Sequence, residues 1–106
     1  MSDAAGLIAQ LEARAGDLRR LGYRVRLDLT DTEESILLDA TGPGPATLGP
    51  ANGEEPADTV LRLSTADLQK LIAGRLSPML AFSTGRLRVE GSKGVALKLA
   101  SLLDEG

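Results

Sequence analysis

The sequence predicts an α+β fold. Three observations predict it. Apolar spacing changes along the chain from a period near 3.6 to a period of 2 and back again. Gly, Pro and Ser punctuate each change. Apolar residues make up 42% of the chain but aromatic residues only 2%, so the core has to be built from Leu, Val, Ile and Ala. At 106 residues the chain is expected to form one domain, 1–106, large enough to bury roughly two thirds of its unfolded surface.

The elements follow in order. Leu7, Ile8, Leu11, Ala15, Leu18 and Leu21 are spaced for one face of a helix over 2–21. Ser2 is its candidate N-cap, Asp3 suits the positive end of the helix dipole, Gly16 is a candidate break and Gly22 a candidate stop. Tyr23, Val25, Leu27 and Leu29 then alternate with Arg24, Arg26, Asp28 and Thr30, as in a strand with one wet face. The turn Asp31-Thr32-Glu33-Glu34 leads into a second strand, 35–41, with Ile36, Leu38 and Ala40 on one side, and the two strands read as a hairpin. Residues 42–57 hold four of the five prolines and form a long loop in which 46–49 can add a short strand at a sheet edge, where proline is tolerated. Residues 59–64 are a further strand with Leu61 and Leu63 inward. Ser64-Thr65-Ala66-Asp67 resembles a capping box and opens a helix whose buried stripe is Leu68, Leu71 and Ile72.

The triplet Gly-Arg-Leu occurs at 74–76 and again at 85–87. Gly74 falls just beyond the last periodic residue of the helix, where a left-handed residue belongs. Ser77-Pro78 is an N-cap followed by proline at the first helical position, so a short helix over 77–84 is expected, with Gly85 closing it. Arg86 to Glu90 alternates as a strand. Gly91-Ser92 turns into a last helix, 92–103, carrying Val95, Ala96, Leu99, Leu102 and Leu103. The triplets are therefore two helix stops rather than a functional repeat. A Walker loop is excluded because Gly85 is followed by Arg-Leu, and Gly91-Ser92-Lys93-Gly94 reads as a tight turn.

Composition narrows the chemistry. The chain contains neither Cys nor His, which removes disulfides, thiolate metal sites, the commonest general base and the commonest metal ligand. No G-x-S-x-G motif occurs and no serine has a histidine to activate it, so no catalytic residue, metal or cofactor is assigned and no enzyme activity is expected. Net charge is −3 and the only rings are Tyr23 and Phe82, so nucleic acid is not an expected partner. Arg24, Arg26, Arg62, Arg86 and Arg88 are expected on the wet sheet face beside Asp28, Asp39 and Glu90, as cross-strand ion pairs, the alternative being a surface for anionic membranes or RNA. The acids of the 31–34 turn are expected merely to keep it wet. Apolar runs are too short to span a bilayer, acids stand where a signal peptide has bases, and a cytoplasmic protein is expected.

Ala57-Asp58, the helix 65–73, Gly74-Arg75-Leu76, Pro78, Ala81-Phe82, Gly85-Arg86-Leu87, Gly91 and Lys98-Leu99 stand in an order that resembles the sterol-carrier-protein (lipid-transfer) domain family. Arg replaces the family's Lys in both triplets. The resemblance spans nearly half the chain without a gap, and implies a mixed, mostly antiparallel five-stranded sheet with helices on one face. It also implies non-covalent binding of a fatty acid, acyl chain or sterol-like lipid in an apolar tunnel lined by Leu68, Leu71, Ile72, Leu76, Met79, Leu80, Phe82, Val89, Leu99 and Leu103. Any one of these also suits an ordinary core. Arg75 and Lys93 are candidates to face a lipid carboxylate. The alternative is a non-catalytic interaction module, a homodimer for instance, whose groove is filled by its own side chains or by a partner.

Overall fold

The computed structural model describes residues 3–104. The order is α1 (Asp3–Glu12), α2 (Ala15–Leu18), a 3-10 turn (Arg19–Leu21), β1 (Arg24–Leu29), β2 (Ser35–Asp39), β3 (Thr47–Ala51), β4 (Thr59–Leu63), α3 (Thr65–Ile72), α4 (Pro78–Ser83), β5 (Arg88–Gly91) and α5 (Lys93–Asp104). The strands form one mixed sheet in the order β3-β2-β1-β4-β5. Its two central strands, β1 and β4, are parallel, and every other pairing is antiparallel.

Alternation decides the two faces. The registers align Ile36, Leu27, Leu61 and Val89 in one inward row across four strands, with the exposed Pro50 opposite Ile36 at the edge. A second inward row runs through Leu48, Leu38, Val25 and Thr59. α1, α3 and α5 supply the rest of the core, with Leu7, Leu11, Leu68, Leu71, Ile72, Leu99 and Leu103 all buried. The prolines of the Pro/Gly-rich stretch do not prevent a third strand, because β3 is at the sheet edge.

The helix punctuation is local. Ser64 Oγ accepts from the Asp67 amide at 3.1 Å and Ser77 Oγ from the Leu80 amide at 3.5 Å. Gly74 and Gly85 both take left-handed backbone, φ 74° and 81°, one residue beyond the C-caps Ala73 and Thr84. The two Gly-Arg-Leu triplets are thus helix stops, as their spacing implies.

Two features depart from the sequence pattern. The first helix breaks at Ala13-Arg14, not at Gly16, which lies inside α2. The break places the Arg14 guanidinium against the ends of two other helices. Its Nη1 donates to the Leu103 carbonyl and its Nη2 to the Ile72 carbonyl, both at 2.6 Å. One cation thereby satisfies last-turn carbonyls of both α3 and α5, where the helix dipoles favour positive charge. The expected cap Ser2 lies outside the described residues.

The second departure is Asp31. Its Oδ1 accepts from the Thr65 amide at 3.0 Å and the Thr65 hydroxyl at 2.9 Å, so the hairpin turn anchors the start of α3. The expectation that the turn's acids only keep it wet is corrected for this residue. The Thr65 amide, first among the bonds, holds the Asp31 carboxyl below the usual carboxylate range.

Candidate functional site

The apolar surface of the molecule is concentrated at one corner. α4 begins with a proline, ends after six residues and packs beside α5. It is too short to cover everything beneath it. Met79, Leu80 and Phe82 are 64%, 54% and 44% exposed, and Leu97 on α5 is 52% exposed.

Between α4, β5 and α5 lies a solvent-open groove of about 150 Å³. α4 contributes Pro78, Met79 and Phe82, the β5 strand and its approach contribute Val89 and Leu87, and α5 contributes Lys93, Ala96, Leu97 and Ala100. The α5 positions recur at the three- and four-residue spacing of one helical face. Ala96 and Ala100 are small, and their size keeps the groove open. A shallower depression adjoins it, sharing Pro78, Met79, Leu97 and Ala100 and adding Ser77 and Ser101. The two form one trough along α5, from Lys93 to Ser101, about 12 Å at the rise of an α-helix. Lys93, at the start of α5, is the only charged residue among those lining it.

The ten lining residues expected from the resemblance separate into three sets. Met79, Phe82 and Val89 line the groove. Leu68, Leu71, Ile72, Leu76, Leu99 and Leu103 are buried in the core. Leu80 is exposed on α4, outside the groove lining. Of the two candidate cations, Lys93 lines the groove, whereas Arg75 is exposed in the connection after α3. Sequence reasoning missed Pro78, Leu87, Ala96, Leu97 and Ala100. A signal was present for three of them: Ala96-Leu97 followed by Ala100 forms a second apolar stripe on α5, beside the core stripe of Val95, Leu99, Leu102 and Leu103.

The opposite face of the sheet is ionic. Arg24 pairs with Asp39 at 3.2 Å, Arg26 with Asp28 at 3.0 Å and Arg62 with Glu90 at 3.1 Å. The Thr41 hydroxyl and amide, joined by Arg24, hold the Asp39 carboxyl low. The Asn52 amide does the same for Glu55.

With this geometry in view, the comparisons with known proteins are specific. A profile of the SCP-2 sterol transfer family matches residues 5–104, nearly the whole sequence. The chain belongs to the SCP-2 sterol transfer family. Its similarity to sterol carrier protein 2 from Yarrowia lipolytica in the apo form extends over 95% of this chain and 81% of that one, at 25% identity and a TM-score of 0.66. Sterol carrier protein 2 like 2 from Aedes aegypti aligns over 93% of this chain and 94% of that one, with a TM-score of 0.73 at 16% identity, and shows a common fold. Hydroxysteroid dehydrogenase-like protein 2 from Bos taurus is 34% identical over 58 residues, 55% of this chain. The aligned segment is only 14% of that longer protein. The SCP-2 family fold is the five-stranded α+β sheet expected from the sequence. Among the described residues no helix is long and apolar enough to cross a membrane.

Proposed function

We propose that this protein is a non-catalytic carrier of an aliphatic lipid bearing a negatively charged head. The chain lies in the trough between α4 and α5, and the head faces Lys93. The observation that carries this reading is the trough itself: an apolar lining with a single cation at one end. Family membership supports lipid binding or transfer in general.

The groove proper has a volume of about 150 Å³. That suits a flexible run of methylenes better than a rigid ring system, since pockets for drug-sized molecules run to roughly 300–1,000 Å³. Each methylene buried contributes about 0.8 kcal/mol, so affinity grows with the length of chain enclosed.

Titration with a fluorescent fatty acid tests the reading. Saturable binding of one molecule per protein is expected. Lys93→Gln should weaken binding of the acid and leave the matching fatty alcohol unaffected. Absence of saturable binding to the wild-type protein would reject the carrier.

A second reading is favoured by Leu80, which is exposed yet lies outside the groove lining. With Met79 and Phe82 it makes a small apolar surface of the kind that partners cover. The shared segment within a longer dehydrogenase-like protein also suits an accessory module. Concentration-dependent dimerisation abolished by Leu80→Lys, with no lipid bound, would favour this alternative.

A further inference from the structure

The ionic face of the sheet is not neutral throughout. Arg62 on β4 stands directly opposite Arg88 on β5 in the antiparallel register. Like charges in that relation destabilise a strand pair. Glu90, 3.1 Å from Arg62 Nε, and Asp28, 3.9 Å away, offset Arg62. Arg88 has no ion-pair partner among the described residues, and neither has Arg86. Arg62, Arg86 and Arg88 all line one cleft of about 350 Å³ with Thr30, Leu63 and Gly85. This convergence runs against the charge of the whole chain, which is −3.

We propose that this cleft binds a phosphate group, as a phosphomonoester or a phosphate-bearing head. Guanidinium groups present paired N–H donors that match phosphate oxygens two at a time. Three of them, one already shared with Glu90, exceed what a single carboxylate can accept and suit a dianion with several exposed oxygens. The cleft volume leaves room for whatever carries the phosphate. The site is separate from the apolar trough although both draw on one stretch of chain: Arg86 and Arg88 line the cleft, whereas Leu87 and Val89, alternating with them, line the groove.

The test is an amide-resolved NMR titration of the full chain with inorganic phosphate, against sodium chloride of matched ionic strength. Saturable shifts are expected at Thr30, Arg62 and residues 85–88 with phosphate only. Arg86→Gln with Arg88→Gln should weaken the fit by about tenfold, as loss of charge-assisted bonds implies. Fluorescent fatty-acid binding to that variant, measured in parallel, should be unchanged, which separates failure here from failure of the carrier reading and also reports that the variant is folded. A second arm uses phosphatidylcholine vesicles with and without phosphatidic acid. Sedimentation with the phosphatidic acid vesicles alone, lost in the double variant, assigns the phosphate to a lipid head. Saturable phosphate shifts without vesicle binding assign it to a soluble compound. Shifts equal to those in chloride or unchanged in the double variant, together with vesicle binding that is absent or equal in the variant, overturn the proposal.

Discussion

The two sides of α5 are made from the same aliphatic residues and do different work. Leu99, Leu102 and Leu103 face the sheet and α3, and are buried. Leu97, with Ala96 and Ala100, faces the short α4 and borders an open groove. Apolar character alone does not separate them. What separates them is the covering element. α2, the 3-10 turn, α3 and the sheet close over the first side with leucine, whereas α4 covers the second with only six residues, bounded by Pro78 and the Gly85 stop. A filled core and a candidate binding surface thus come from one alphabet, and the length of the neighbouring helix decides between them.

Leu99→Ala should cost about 2–5 kcal/mol, the usual range for a buried leucine, out of a total stability of about 5–15 kcal/mol. Leu97→Ala, at a half-exposed position, should cost about 1 kcal/mol, because only half of its surface leaves water on folding. Urea unfolding of both variants measures the contrast. Equal costs would mean that the α4 corner is packed as tightly as the core.

Arg14 comes next. Arg14→Met keeps the aliphatic stem but removes two charge-assisted bonds, to the Ile72 and Leu103 carbonyls. A loss of about 1.5–3 kcal/mol is expected. Faster amide hydrogen exchange in the last turns of α3 and α5, but not in α4, would place that loss on the filled side of the molecule.

The third effect depends on pH. Asp31, Asp39 and Glu55 all titrate below their ordinary range, because backbone or hydroxyl donors favour the ionised form. A depressed folded pKa stabilises the protein above the ordinary carboxylate value, near 4, and that contribution is lost as pH falls through the depressed values. The urea midpoint should therefore fall below about pH 4, and Asp31→Asn should make the fall shallower. With no His or Cys in the chain, the midpoint should stay level from about pH 6 to 8. None of these three acids lines the apolar groove, so acid should weaken the frame before it alters the groove itself.

Much of the frame is legible in the sequence because its causes are local. Alternation in 23–30 and 59–64 marks strands, Ser64 and Ser77 are caps, and Gly74 and Gly85 are stops. Each needs only its neighbours in the chain. The break at Arg14 is not legible, since the carbonyls that its guanidinium reaches lie 58 and 89 residues away. The role of Asp31 was hidden for the same reason, its partner being 34 residues on. The groove was legible in part. Met79, Phe82 and Val89 are among the residues that the family resemblance implies, but which side of α5 faces them depends on how two helices pack. Both Leu97 and Leu99 fit a helix with two apolar stripes, and periodicity does not choose between them.

The central claim is that the α4–α5 trough, not the core beneath α3, holds the aliphatic chain. The most direct measurement is fluorescent fatty-acid binding to the wild-type protein and to Leu97→Asp, beside urea unfolding of both. A carboxylate at this half-exposed position leaves the core intact but puts a charge on the groove wall, one helical turn from Lys93. The account predicts one-to-one binding by the wild type, weakened at least about tenfold by Leu97→Asp, with the urea midpoint almost unchanged. Equal affinity in the two proteins would contradict it and move the ligand elsewhere in the fold.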